Sequence, residues 1–145
     1  MRTILPILLC LVSMLSFAED REVIDFNRGW QFCLTDNASE PVPASGETWR
    51  PIDLPYDFQL NLPWNKDANR ARAFKRQAAA WFRKTFTAEQ SWQGHRVTLD
   101  FEGLMYYGDV YLNGRRIGGT EYGYCGFDCD ISGLLDYDSE NVVTV

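Results

Sequence analysis

Apolar and polar residues alternate in short runs along most of this chain. Trp30, Phe32 and Leu34 fall on one side by the two-residue period of an extended strand. Val23-Ile24-Asp25-Phe26 predicts a strand ahead of them, with Asn27-Arg28-Gly29 as the turn between. Trp49 to Leu54 reads as a short strand, and Pro51 assigns it to a sheet edge because proline cannot donate to a ladder. Over Ala80 to Thr87, Phe82 and Phe86 share one face while Trp81, Arg83 and Thr85 share the other. Val97, Leu99 and Phe101 alternate with Thr98, Asp100 and Glu102, and Val110 and Leu112 continue the same logic. Asn113-Gly114 then joins this run to Arg115–Thr120. That dipeptide marks a type I′ hairpin turn, whose two central residues both need positive φ. Phe127 to Ile131 and Asn141 to Val145 are the last strands predicted.

The breakers between these runs are as informative. Thr35 to Thr48 is polar with two prolines and a glycine, hence a loop. Pro55 to Gln77 has no clean period and carries a basic cluster at Arg70, Arg72, Lys75 and Arg76. A long irregular segment of this kind is usually functional or disordered, and for the basic cluster a solvated or interdomain face is the preferred reading. Ser91 to His95 turns. After the first 18 residues no helical period of useful length occurs. Short strands at regular spacing, broken by Gly, Asn and Asp, predict an all-β sandwich. Asn141-Val142-Val143-Thr144-Val145 has no closing turn, so the sandwich reads as incomplete at its C-terminus, with an unfinished sheet edge there.

The opening residues read as a secretory signal. Arg2 supplies a positive start, Ile4 to Val12 an apolar stretch, and Ser16-Phe17-Ala18 the small residues of a cleavage site. The stretch is shorter than the ~20 residues of a membrane span. The division expected is therefore a signal peptide over 1–18 and one domain over 19–145, exported to the periplasm or the exterior. Cleavage removes one base and no acid from a chain whose formal charge is already −6. Such a surface excludes nucleic acid as a partner and disfavours an anionic membrane. Cys33, Cys125 and Cys129 remain. Cys125 and Cys129 are near enough in sequence to pair, though small buried hydrophobes is the preferred reading for cysteines spaced this way.

Five segments, in order, resemble the N-terminal domain of glycoside hydrolase family 2. Phe26-Asn27-Arg28-Gly29-Trp30-Gln31-Phe32 is similar to that family's F-x-x-G-W-x-F opening. Trp49 through Phe58 is similar to W-x-x-V-x-L-P-H-D-W, with Tyr56 at the histidine and Phe58 at the final tryptophan. Trp81-Phe82-Arg83-Lys84-Thr85-Phe86 is similar to W-Y-R-K-x-F. Val110-Tyr111-Leu112-Asn113-Gly114, and then Gly123-Tyr124 through Asp130-Ile131-Ser132, complete the set. The resemblance as a whole runs from about Phe26 to Val145. Any role tied to the family's imidazole is lost at Tyr56, while aromatic packing survives. Arg70 to Ala80 replaces the usual glycine-rich stretch.

The resemblance implies a galactose-binding-domain-like jelly roll that, in the family, packs on an immunoglobulin-like domain and a (β/α)8 barrel. The family's acid/base is the Glu of an Asn-Glu pair and its nucleophile a second Glu, both far downstream. This chain has no Asn-Glu dipeptide. The expectation is a non-catalytic domain of a retaining, β-galactosidase-like enzyme acting on a β-linked glycoside. A stand-alone carbohydrate-binding module or a structural β-sandwich are the alternatives.

Within the chain, Glu102 and Asp109 could be drawn as a catalytic pair, but a wet sheet face explains them better. Asp128 and Asp130 lack the further oxygens of a calcium loop, and His95 stands alone beside half a zinc spacing, so no metal and no cofactor are expected. Sugar contact is the chemistry left. Carbohydrates offer apolar C–H faces to aromatic rings and hydroxyls to amides and carboxylates. The segment from Tyr56 to Phe74 holds both kinds of group. In the family the equivalent loop extends toward the barrel, which makes Asn61, Trp64, Asn65 and Asp67 the substrate-binding candidates. The competing reading packs Trp64 and Phe74 beneath the loop or against further domains.

Overall fold

The computed structural model describes residues 21–35, 42 and 49–145. The signal segment and most of the loop expected over 35–48 lie outside the described residues. Among the described residues eight strands form: β1 (Trp30–Thr35), β2 (Arg50–Ile52), β3 (Ala79–Thr87), β4 (Thr98–Phe101), β5 (Gly108–Leu112), β6 (Arg115–Thr120), β7 (Phe127–Asp130) and β8 (Glu140–Thr144). Among the described residues, helical structure is limited to short 3-10 turns at Phe58–Asn61, Arg70–Arg72 and Gln90–Trp92.

The strands pair into an antiparallel six-stranded sheet, ordered β2-β1-β3-β8-β5-β6, and a two-stranded sheet of β4 and β7. Between them lie Trp30, Val110, Leu112 and Val143 from the large sheet, Cys129 from the small one and Ile131 just after β7, all buried. Leu99, Phe101 and Phe127 close the core from the small sheet, Phe101 and Phe127 stacking at 4.9 Å. This is the expected all-β sandwich. Its alternation is the cause: each strand turns its apolar side inward, and burial of that side drives the two layers together.

The hairpin forms as read. Asn113 and Gly114 both have positive φ, at 50° and 79°. Pro51 lies on β2, an edge strand, opposite Gln31. Two readings change. Val23–Phe26 is not a strand. Val23 and Ile24 are exposed, and Phe26 instead folds onto Trp30 and Phe86, with ring centroids at 6.0 and 5.2 Å. The Trp30 indole donates to the Phe26 carbonyl at 2.8 Å, so a side chain replaces the missing ladder. The sheet edge expected at Val145 also falls elsewhere. β8 is inserted between β3 and β5, and Val145 exchanges two backbone bonds with Phe82; the outer strands are β2 and β6.

Candidate functional site

The irregular segment after β2 is tied down from within. The Asp57 carboxylate accepts from the Gln59 amide and starts the 3-10 turn Phe58–Asn61. Tyr56 and Phe58 pack on the buried Phe32 ring at 5.2 and 5.8 Å. Aromatic packing therefore persists at the two positions where the family pattern has His and Trp. Trp64 and Lys75 form an isolated antiparallel bridge, and the Asn65 amide donates to the Phe74 carbonyl at 2.9 Å. The loop is thus a small folded excursion. At its return, Ala73 and Phe74 both adopt left-handed backbone at φ 51° and 57°, an uncommon state for non-glycine residues.

Lys75 is the anchor. It is buried, and its Nζ donates to the carbonyls of Leu60 and Leu62 and lies 4.6 Å from the Trp64 ring centroid. The basic cluster is therefore not a uniformly solvated face: this member satisfies inward carbonyls that the irregular backbone would otherwise leave without donors. Trp64 does not pack beneath the loop. It is 71% exposed, with one ring face against Lys75. Phe74 is also exposed.

All four candidate residues lie on this excursion, and all are exposed. Asn61 donates to the Tyr56 hydroxyl at 3.0 Å. Asn65 Oδ1 accepts from the Asp67 amide at 2.9 Å, so the Asn65 side chain shapes the turn. Asn65 and Asp67 are joined in the turn that follows Trp64, while Asn61 lies apart, beside Tyr56.

The other acids resolve into structural partners. Arg116 donates to Asp109 at 2.7 Å. Arg96 faces both Asp128 and Asp130, at 3.7 and 3.5 Å. The Ser132 hydroxyl and amide bond Asp130 and hold its carboxyl below the usual range. Among the described residues, no three His, Cys, Asp or Glu side chains gather in a way that could hold a metal ion. The three described cysteines are free. Cys33 and Cys129 are buried, as small hydrophobes are, but Cys125 is exposed.

A second group of aromatic side chains was not anticipated. Tyr106 and Tyr107 on the β4–β5 loop meet Tyr122 and Tyr124 on the β6–β7 loop. Successive ring centroids are 6.4 Å apart (Tyr107–Tyr106), 6.4 Å (Tyr106–Tyr124) and 5.5 Å (Tyr124–Tyr122). All four are exposed. A hydrogen bond with the Tyr106 hydroxyl raises the Tyr124 phenol above its ordinary value. Gly123 permits the approach: a Cβ there would meet Met105 Cα at 3.2 Å. The available signal was density, since five of the chain's seven tyrosines fall between 106 and 124, Tyr111 on β5 being the fifth.

The comparisons with known proteins agree with this architecture. Residues 30–145 match the family described as glycosyl hydrolase 2 galactose-binding domain-like. The chain is 30% identical over 133 residues to β-galactosidase BoGH2A of Bacteroides ovatus, covering 90% of this chain and 16% of that protein. It is 28% identical to a β-glucuronidase of Bacteroides fragilis, over 95% of this chain and 18% of that one. The crystal structure of a β-glycosidase from Bacteroides vulgatus superposes with a TM-score of 0.76 at 26% identity, covering 86% of this chain and 17% of that one. The fold is that of a glycosidase accessory sandwich. This chain belongs to the galactose-binding-domain-like family of glycosyl hydrolase 2, and it spans about a sixth of the length of the curated relatives it matches.

Proposed function

We propose that this chain is the N-terminal, non-catalytic sugar-contacting domain of an exported β-galactosidase-like glycosidase. In that setting it orients the barrel and offers the exposed Trp64 loop to a β-linked glycoside. The observation that carries the reading is the match over residues 30–145, together with relatives named as a β-galactosidase and a β-glucuronidase of which this chain covers only 16% and 18%. The site chemistry supports it. The Trp64 indole is exposed and braced on one face by Lys75, with Asn65 and Asp67 in the turn that follows it and Asn61 earlier in the loop as hydroxyl partners. Glu102 and Asp109 do not contradict it, Asp109 being held by Arg116.

The chain incubated with p-nitrophenyl β-galactoside should release no nitrophenol. Lactose should shift the Trp64 indole resonance with an affinity near millimolar, about −4 kcal/mol, and Trp64→Ala should abolish the response. Turnover by this chain alone overturns the non-catalytic assignment. Lactose binding indifferent to Trp64 overturns the loop assignment. Export is tested separately, by N-terminal sequencing of secreted protein, with Glu19 expected first.

A further inference from the structure

We propose that Tyr107, Tyr106, Tyr124 and Tyr122 form a strip that binds an extended, neutral β-linked oligosaccharide, separate from the Trp64 loop. The proposal rests on the carbohydrate reading above and deepens it: it names a longer ligand and a second surface.

Three observations carry it. The four rings follow one another at 5.5 to 6.4 Å, a spacing of the same scale as one pyranose unit in an extended chain. Their planes are inclined to one another by 38°, 75° and 56°, so the rings do not form one flat platform and the strip does not match a flat crystalline surface. The strip is also pre-built. Gly123 lies against Met105 and the Tyr106 backbone, and Thr120 Oγ1 both accepts from the Tyr122 amide and donates to the Tyr122 carbonyl at 3.0 Å.

Tyrosine is well matched to a sugar chain. Its rigid ring gives contact area at small entropic cost, and its hydroxyl can hydrogen-bond sugar hydroxyls. In the strip the Tyr106 and Tyr124 hydroxyls bond each other, which leaves Tyr107 and Tyr122 at the two ends for that role. Contiguous exposed aromatic surface of this kind marks an interaction site. Charge narrows the ligand. Glu102 and Glu121 stand at the starts of the two loops, both exposed, so a uronate chain meets like charge while a neutral one does not.

The test is calorimetric titration of the chain with β-1,4-galactobiose and β-1,4-galactotetraose. The tetraose should bind about tenfold more tightly than the biose, and Tyr107→Ala/Tyr122→Ala should erase that gain. Trp64→Ala should leave the gain in place. Tyr107→Phe/Tyr122→Phe, which keeps the rings, should retain most of it and controls for folding. Biose binding with no gain for tetraose, or a gain that survives loss of both rings, overturns the strip and leaves the carbohydrate reading standing. Failure of both probes to bind the unsubstituted chain overturns the carbohydrate reading itself, and the strip with it.

Discussion

The side-chain amide of Asn113 donates to Asn141 Oδ1 at 2.9 Å, joining the tip of the β5–β6 hairpin to the start of β8. Both side chains make further bonds. Asn113 Oδ1 accepts from the Val142 amide at 2.8 Å, and the Asn113 amide donates to the Val142 carbonyl. Asn141 Oδ1 also accepts from the Asp136 amide, while its Nδ2 donates to the Asp136 carbonyl at 2.7 Å. Asn141 is fully buried. One amide thus fixes where β8 enters the large sheet, and the same asparagine that permits the tight turn by its positive φ also locks the turn onto β8.

Asn141→Ala should therefore destabilise the fold by about 2–3 kcal/mol, because several partly buried groups lose partners at once. Asn113→Gly keeps the backbone conformation and removes only the side-chain bonds, so it should cost about 1 kcal/mol. The double variant should fall short of the sum, since both changes break the same bond. Urea unfolding followed by tryptophan fluorescence measures all three. Full additivity would mean that the Asn113–Asn141 contact contributes nothing.

Stability should fall in acid, beginning below about pH 4. The Gly29 amide and the Arg28 guanidinium hold Asp53 below its ordinary value near 3.8. The Ser132 hydroxyl and amide do the same for Asp130, and the Ser139 hydroxyl with the Asp138 and Ser139 amides for Asp136. A carboxyl whose folded pKa is depressed contributes fully above its unfolded value. That contribution is lost as pH falls through the lower, folded value. Asp53→Asn should flatten the acid limb of a melting-temperature profile and leave its neutral-pH slope unchanged. A limb as steep as in the parent chain would remove Asp53 from the account.

Much of the sandwich was legible because its strands alternate cleanly and its hairpin carries Asn113-Gly114. Pro51 disclosed an edge. Val23–Phe26 misled because alternation reports a face and not a partner: Phe26 finds its burial against Trp30 and Phe86 without a ladder. The place of β8 could not be read, since strand order depends on long-range pairing that no local pattern encodes. The loop holding Trp64 was legible as an aromatic and amide-rich segment, but Lys75 was not legible as its anchor. Lysine is rarely buried, and only the fold brings the Leu60 and Leu62 carbonyls to its ammonium. The tyrosine strip joins two loops separated by a whole hairpin, so it exists only once β5 and β6 have paired.

Lys75→Met tests the anchor. The aliphatic stem survives while two carbonyl partners and the contact with the Trp64 ring are lost. The expected cost is about 1–3 kcal/mol for leaving these acceptors without a donor. Amide exchange should rise at Asn65 and Phe74, whose bonds belong to the same excursion, and should stay unchanged at Val110 and Val143 in the core. Uniform acceleration everywhere would show that Lys75 supports the whole sandwich and not the loop.

Thiol reactivity should separate the three cysteines by position. Cys125 is exposed and should react with iodoacetamide in the native chain. Cys129 is buried, and burial, with Asp128 beside it, raises its pKa above the ordinary value. Both factors slow alkylation, since the thiolate is the reacting species. Cys33 is buried on β1 and should be equally protected. Gly118 on β6 makes the Cys129 environment specific: a Cβ there would lie 2.4 Å from the Cys129 sulfur, so the thiol has no space to swing outward on that side. Peptide mapping after a brief native pulse should find label at Cys125 and not at Cys33 or Cys129, with all three labelled after denaturation. Native label at Cys129 would require the β6–β7 contact to open on the timescale of the pulse. In that event Gly118→Ala, which wedges the same contact, should accelerate it further.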